Sequence, residues 1–291
     1  MFARAPEKIP CTIVGSGNTA GALAAAIKQA KESKFYLSGI FARDAREAAK
    51  LAGEAAASGN ISDMKTAEGL LILAVSDDAI REVAELISGF NLQEELVCCH
   101  VSGAAGLDTL EPLAQLGLRV GSIHPLQSFP AGAGSEYFRD ICISVLSPEA
   151  ENLLTEFVEG LNCRPVPVTE QQKKELHMAA VFASNYLVAL MELVNRTAEG
   201  LGQPLSEVLG PLIQSTLANV RDKGTVPSLT GPVSRGDSGT IESHLELIKR
   251  KQDEQMMHSY KSLGRVALGL AAKSDRLTPG EIAEIEKLFK E

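Results

Sequence analysis

The stretch CTIVGSGNTAGALAAAI, residues 11–27, decides the fold predicted for this chain. A short apolar run ends at Gly15 and Gly17, and small residues that suit a helix follow directly. Gly15 permits a tight turn after a strand, and Gly17 lets the backbone approach a pyrophosphate closely. Unpaired N–H groups at the start of the helix favour an anion. The pattern predicts a dinucleotide-binding turn, and the alternative is a tight turn that binds nothing.

Strand-like and helix-like segments alternate over residues 1–167. The strand-like runs are CTIVG, FYLSGIFA, GLLILAV, ELVCCHVS, LRVGSIH and DICISVL, and stretches rich in Ala, Leu and Glu separate several of them. This alternation is typical of parallel strands covered by helices on both faces. We therefore predict an α/β protein whose first domain is a doubly wound parallel sheet of the Rossmann type. Adjacent Cys98 and Cys99 should point to opposite faces of that sheet.

From residue 168 to residue 291 the pattern is helical. Thr169 and Gln172 fit a capping box, and helical patterns follow over 170–200, 205–221, 240–257 and 259–272, with a last helix from Thr278. The first of these helices is longer than a typical globular helix, so we expect it to pack against more than its own domain. The second domain is predicted to be all-helical.

Composition argues against several classes of function. A net charge of -9 and a pI near 5.2 do not suit a protein that binds nucleic acid. Five cysteines, without a CxxC pair, predict neither a disulfide framework nor a metal site. The N-terminus lacks the apolar region of a signal peptide, and no apolar run of membrane-spanning length stands out. We therefore expect a cytoplasmic protein that has no membrane partner.

The end of the second predicted strand bears on the choice of cofactor. An NAD site places an acidic residue there to bind the ribose 2′-hydroxyl. Ala42 cannot make this contact, whereas Arg43 can pair with a 2′-phosphate. NADP is the predicted cofactor. Two alternatives stay open: Asp44 serves as the ribose ligand or as a helix cap, and Arg43 is only an exposed loop charge. The predicted cofactor contacts are Gly15, Ser16, Gly17, Asn18, Thr19, Ala20, Arg43, Ala74, Val75 and Ser76.

Two later strands end in polar residues that should meet at the same edge of the sheet. One end carries Ser102 and the other carries His124, followed by Pro125. Hydride transfer to or from a carbonyl or imine needs a proton partner with a pKa near 7, which histidine supplies. We predict His124 as the general acid/base and Ser102 as the group that orients the reacting oxygen. The alternative for His124 is a satisfied loop histidine, and His100 is predicted to be structural.

The helical half carries further polar candidates. His177 and Ser184 lie on nearly the same stripe of one apolar helix, next to Asn185, and buried polar groups there need partners. Functional and structural roles are equally compatible with this pattern. An Arg–Asp pair in LTGPVSRGDSGTIESHL, residues 229–245, either clamps an anionic substrate group or holds its own loop. The predicted substrate contacts are Gly103, Ser128, Lys174, Arg235 and Asp237, and His177 and Asn185 are added to the catalytic set.

Several motifs together resemble a known group of proteins. They are the Gly15 loop, LAVSDDAI, HVSGA, HPLQSF, HMAAVFASNYLVAL and TGPVSRGDSGTIESHL, which span nearly the whole chain. The chain resembles Rossmann-like NADP oxidoreductases whose C-terminal half is the domain of unknown function 2520. That group is similar in fold to pyrroline-5-carboxylate reductase, ketopantoate reductase and the β-hydroxyacid dehydrogenases. The resemblance implies a helical domain that commonly mediates dimers, and it implies no settled substrate.

Two partial analogies add residue roles. Prephenate dehydrogenases carry a Ser at a strand end and a later His-Pro, and Ser102 and His124 match this arrangement. β-Hydroxyacid dehydrogenases use a Lys and an Asn in the spacing Lys-x-x-x-Asn. Asn185 answers to that Asn, while Lys174 and His177 compete for the Lys position and depart from the spacing.

These observations predict an NADP(H)-dependent oxidoreductase that acts on a small carbonyl, imine or 2-hydroxy/2-oxo acid at the interdomain cleft. A ketopantoate-like substrate rests on fold kinship only. The alternatives are a non-catalytic NADP-binding sensor or scaffold and an interaction protein that binds no cofactor.

Overall fold

The computed structural model describes residues 8–197, 199–274 and 276–290. The chain divides into two compact units between Tyr186 and Leu187. The first unit is α/β and the second is helical, as the sequence predicts. The predicted boundary after residue 167 falls before helix α6, Glu170–Ala183, which belongs to the first unit by its contacts.

A mostly parallel sheet forms the centre of the first unit. Within the described residues it has eight strands in the spatial order β10-β9-β8-β7-β5-β1-β2-β3, and only the β8–β9 pair is antiparallel. Two short strands, β4 and β6, pair separately. The order reverses at β1, which lies between β5 and β2, and ligands of open α/β sheets bind at such switch points. The strands are β1 Ile9–Val14, β2 Phe35–Ala42, β3 Ala57–Asn60, β4 Thr66–Ala67, β5 Leu70–Leu73, β6 Asn91–Leu92, β7 Val97–His100, β8 Arg119–Pro125, β9 Cys142–Leu146 and β10 Arg164–Pro167.

Helices cover both faces of this sheet and enclose two apolar cores. Cys99 belongs to one core and Cys98 to the other, which confirms the predicted opposite orientation of these neighbours. All four residues of β5 are fully buried, as expected of a strand that is covered on both faces. The helices of this unit are α1 Asn18–Gln29, α2 Ala45–Ala52, α3 Ile80–Ser88, α4 Glu111–Ala114, α5 Glu151–Gly160 and α6 Glu170–Ala183.

Helix α6 begins where the sequence predicts and ends earlier than predicted. The capping box is present, because Thr169 Oγ1 accepts from Gln172 N at 3.3 Å and Gln172 Oε1 accepts from Thr169 N at 2.9 Å. The single helix predicted over 170–200 is interrupted at Ser184, whose backbone (φ -120°, ψ -73°) departs from helical geometry. A second helix, α7 Asn185–Thr197, follows.

The segment Glu170–Thr197 has an unusual composition. It is 28 residues long, its most apolar window has a mean hydropathy of 1.4, and none of that window is buried within the described residues. By length and composition alone the segment is able to cross a membrane. The sequence analysis did not single out this segment. Core helices of soluble proteins meet the same two criteria.

The second unit contains helices around a small core. Ile241, Leu268, Ile285 and Phe289 form its buried apolar cluster. The prediction of one continuous helix over 240–257 was wrong, because Gln252 adopts a left-handed conformation (φ 54°) and ends α11. Asp253 then caps the next helix by accepting from Met256 N at 2.9 Å. Besides α7, the helices are α8 Leu205–Val208, α9 Gly210–Lys223, α10 Thr225–Ser228, α11 Ser238–Lys251, α12 Glu254–Ala272 and α13 Pro279–Lys290.

Candidate functional site

The turn between β1 and α1 has the geometry of an anion cradle. Gly15 has φ +132°, and a Cβ at this position would overlap the carbonyl oxygen of Ala74, so only glycine fits. A Cβ on Gly17 would meet no described atom within 4 Å, which leaves room for a ligand. No side chain of the described residues caps the start of α1, so its first amides remain available to an anion.

A cleft of about 910 Å³ opens beside this turn and lies wholly within the first unit. Nine of the ten predicted cofactor contacts line it, and the exception is Ala20, which is buried in α1. Val101 also lines the cleft, directly before the loop that carries Ser102. Residues that were not predicted as cofactor contacts complete the lining: Ala42, Ile61, Ala79, Glu82, Val83, Glu85, Leu86 and Val101.

The structure decides between the two roles considered for Asp44. Its side chain caps α2 by accepting from Arg46 N at 2.8 Å, as expected of an N-cap aspartate. Arg43 is exposed and lines the cleft, while its carbonyl accepts from Asn60 Nδ2 at 2.9 Å. The backbone at Arg43 is thus fixed and its guanidinium is free to turn toward a ligand.

The loop after β8 contacts the phosphate-binding turn. Asn18 Nδ2 donates to the carbonyl of Phe129 at 3.1 Å, five residues after His124. The loop that follows the strand of His124 is therefore tied to the start of α1.

Two histidines converge on Gly103. A Cβ on Gly103 would lie 2.5 Å from His177 Nδ1 and 2.6 Å from His124 Cε1, so a side chain larger than hydrogen would displace both rings. The rings meet edge to face with centroids 5.7 Å apart. His177 Nδ1 is buried and has no hydrogen-bond partner among the described residues. Such an unpaired buried atom is unusual unless a ligand or water satisfies it.

His124 does not have the pKa near 7 that the sequence analysis required. Burial is the main cause, and the nearby charge of Lys173 adds to it, so the pKa of His124 is lowered from 6.5 to about 4. At neutral pH its imidazole is uncharged. It is therefore able to accept a proton or to form a neutral hydrogen bond, and it is not an imidazolium acid.

Lys173, which was not selected among the predicted site residues, is buried beside the loop of Gly103. It is 3% exposed, and its Nζ donates to the carbonyls of Gly103 at 2.9 Å and Ala105 at 2.6 Å. Burial lowers its pKa to about 8. The predicted Lys174 is exposed. The spacing Lys173-x-x-x-His177 is the signal that places Lys173 on the same side of the helix as His177, because residues four apart share a helix face.

Ser102 holds its own loop. Its Oγ accepts from Ala104 N at 3.1 Å and from Ala105 N at 2.9 Å. With both acceptor positions used, the hydroxyl hydrogen is the group that Ser102 has left for a substrate. His100, which is fully buried, accepts from Ser102 N at 3.2 Å through Nδ1, in keeping with the structural role predicted for it.

The remaining candidates have contacts of their own. Ser128 and Ser184 share a hydrogen bond with their Oγ atoms 3.0 Å apart, and Asn185 is exposed at the start of α7. Asp237, in the second unit, caps α11 by accepting from Thr240 N at 3.0 Å and from Thr240 Oγ1 at 2.7 Å.

Arg235 lies beside this cap. Its side chain is 64% exposed and only 3.9 Å from that of Asp237, which is a weak surface pair. Of the two roles considered for the Arg–Asp pair, these contacts match the one that holds its own loop.

Two sequence profiles match the chain. The profile of a Rossmann-like domain covers residues 4–125, and the profile of the domain of unknown function 2520 covers residues 140–267. A search of the curated proteins finds no match.

Solved structures share the fold over most of the chain. BF3122 from Bacteroides fragilis, a candidate NADP oxidoreductase, has a TM-score of 0.73 at 24% identity, over 90% of this chain and 99% of its own. TM1727 from Thermotoga maritima has a TM-score of 0.71 at 24% identity, over 92% and 100%. Pyrroline-5-carboxylate reductase from Coxiella burnetii has 0.56 at 14%, over 97% and 98%. The chain is thus a Rossmann-like domain followed by the domain of unknown function 2520.

Proposed function

We propose that this protein is an NADP(H)-dependent oxidoreductase that acts on a small carbonyl, an imine or a 2-hydroxy/2-oxo acid. The observation that carries the proposal is the uncapped start of α1, which opens on a cleft that is also lined by Val101, two residues before Gly103. The open space at Gly17 fits a pyrophosphate, and the structures with the same fold include a reductase. When bound, the nicotinamide would donate or accept the hydride.

The chain's own residues would manage the proton. Neutral His124 would accept the proton of a substrate hydroxyl during oxidation: its pKa of about 4 keeps the acceptor form populated at neutral pH and makes it a weaker base than a histidine with a pKa near 7. His177, with its unpaired Nδ1, would bind the same substrate oxygen or a water beside it. Gly103, which has no side chain, lets both histidine rings approach the loop closely.

Arg43 is proposed to select NADP over NAD. Its guanidinium lines the cleft, whereas Asp44 is engaged as a helix cap and is less available to a ribose hydroxyl. An anionic substrate group is part of the proposal. Comparing each 2-oxo acid with its amide would test that preference directly, since only the acid carries the charge.

The test has two stages. Calorimetry with NADPH and NADH on the purified full chain measures cofactor binding, and we expect NADPH to bind more tightly. NADPH oxidation is then followed with a panel of 2-oxo acids and imines, where His124→Gln should lower turnover by roughly 10²–10⁴-fold and leave NADPH affinity unchanged. Tight NADPH binding without turnover of any substrate would favour a sensor, and absence of binding would refute the proposal.

A cytoplasmic homodimer completes the proposal. Among the described residues, α7 and α9 bury no side chain, although Val188, Leu212 and Leu217 expose more than half of their surface. Helices with such apolar faces are marginal in water unless another surface covers them. Light scattering on the purified chain should give twice the chain mass. A monomer that sediments with lipid vesicles would instead indicate a membrane partner.

A further inference from the structure

The loop that follows β7 is held from two sides. On one side, Lys173 Nζ donates to the carbonyls of Gly103 and Ala105 at 2.9 Å and 2.6 Å. On the other side, Ser102 Oγ accepts from the amides of Ala104 and Ala105. The Ser102 contacts are local to the loop, whereas those of Lys173 reach across about 70 residues from helix α6.

The position of this loop fixes the distance between the two histidines. Gly103 lies against both rings, close enough that even a methyl group on it would clash with His124 and His177. His124 comes from the end of β8 and His177 from α6, one helical turn beyond Lys173. A shift of Gly103 would therefore change the space that is available to both rings.

We propose that Lys173 is a positioning residue whose ammonium group ties the loop 103–105 to helix α6 and holds Gly103 between His124 and His177. Its catalytic consequence rests on the proposed function, whereas its effects on the loop and on the histidines do not. A buried ammonium is suited to the task because it donates several hydrogen bonds at once, and bonds from a charged donor are stronger than neutral ones.

The charge of Lys173 has a second effect on the site. Burial lowers the pKa of Lys173 to about 8, so most of the population is charged at pH 7. This positive charge, after burial, is the next cause of the lowered pKa of His124 and of His100. The charged or titratable groups that face Lys173 or these histidines are Asp77, Asp108, Glu170, Lys174 and His177. Removing the charge of Lys173 should therefore raise the pKa of His124.

The test compares Lys173→Met with Lys174→Met, the same substitution at the exposed neighbour. Amide hydrogen exchange of the cofactor-free protein is expected to be at least tenfold faster at residues 103–106 in Lys173→Met only. Histidine NMR titration should move the midpoint of His124 upward by about one pH unit in this variant. With NADPH and a turned-over substrate, Lys173→Met should lower kcat by roughly 10–100-fold and leave NADPH affinity within about twofold.

Unchanged loop exchange together with an unchanged His124 midpoint in a folded Lys173→Met protein would overturn the proposal. If that variant does not fold, Lys173→Arg and Lys173→Gln replace it: Arg keeps the charge and should keep the wild-type midpoint, while Gln should raise it. Equal midpoints in these two variants would also overturn the proposal. Failure of wild-type protein to bind NADPH refutes the proposed function alone, because exchange and titration are measured without cofactor.

Discussion

Mild acid should destabilise the first unit because His100 is kept neutral inside it. The side chain is fully buried, and burial, followed by the charge of Lys173, lowers its pKa from 6.5 to about 4. In the unfolded chain this histidine takes up a proton below pH 6.5, whereas in the folded chain it does so only near pH 4. Stability is therefore unaffected above about pH 6.5 and falls as the pH drops from there to about 4.

The magnitude follows from the difference between the two pKa values. A difference of about two and a half pH units corresponds to about 3 kcal/mol of unfolding free energy for one histidine. Typical domains have only about 5–15 kcal/mol, so the loss would be large. His124 acts in the same direction over the same range, because its pKa is also lowered to about 4.

Urea unfolding measures this effect when it is repeated in steps from pH 7.5 to pH 4.5. Circular dichroism is the probe, because the chain has no Trp for fluorescence. His100→Asn should remove about one proton of the pH dependence, because Asn keeps an acceptor for Ser102 N and does not titrate. His258→Asn, at an exposed histidine of the second unit, is the control. A pH dependence in His100→Asn as steep as in wild type would refute the reasoning.

The range from pH 7.5 to pH 4.5 avoids the titration of the carboxylates. Hydrogen bonds lower the pKa of Asp237, Asp253 and Glu281. A carboxylate with a lowered pKa stabilises the fold above its unfolded-state value, and that contribution is lost only as the pH falls further. The ordinary values are 3.8 for Asp and 4.5 for Glu, so their effect begins where the measurement ends.

Four further substitutions test the site. Gly17→Ala should keep the melting temperature within a few degrees and weaken NADPH binding by at least tenfold, because its Cβ fills only ligand space. Gly15→Ala should lower both the melting temperature and the NADPH affinity, because its Cβ clashes with backbone. Equal behaviour of the two variants in calorimetry and thermal melts would contradict this. Arg43→Ala should weaken NADPH binding by about 10–100-fold and leave NADH unchanged, and parallel loss of both would argue against a 2′-phosphate contact. Gly103→Ala should lower kcat by about 10²-fold and retain NADPH affinity, since its Cβ displaces the His124 ring. Steady-state rates measure kcat, and an unchanged kcat would contradict this.

Local sequence patterns were sufficient for the first unit's main features. The glycine turn, the alternation of strands and helices and the capping box at Thr169 each depend on residues close in the chain, and the structure has all three. The opposite burial of Cys98 and Cys99 follows from strand geometry alone. The conformations that end helices were harder to predict, because the left-handed turn at Gln252 has no glycine to indicate it.

By itself the sequence determined the Rossmann-type architecture, the anion cradle and the candidate histidine at the end of β8. Tertiary structure alone decided which of two adjacent lysines is buried, because neighbouring positions on a helix point about 100° apart and packing selects the face. It also decided the protonation of His124, whose pKa depends on burial and on a lysine 49 positions away in the chain. Burial and long-range charge are properties of the folded chain, and no local pattern encodes them.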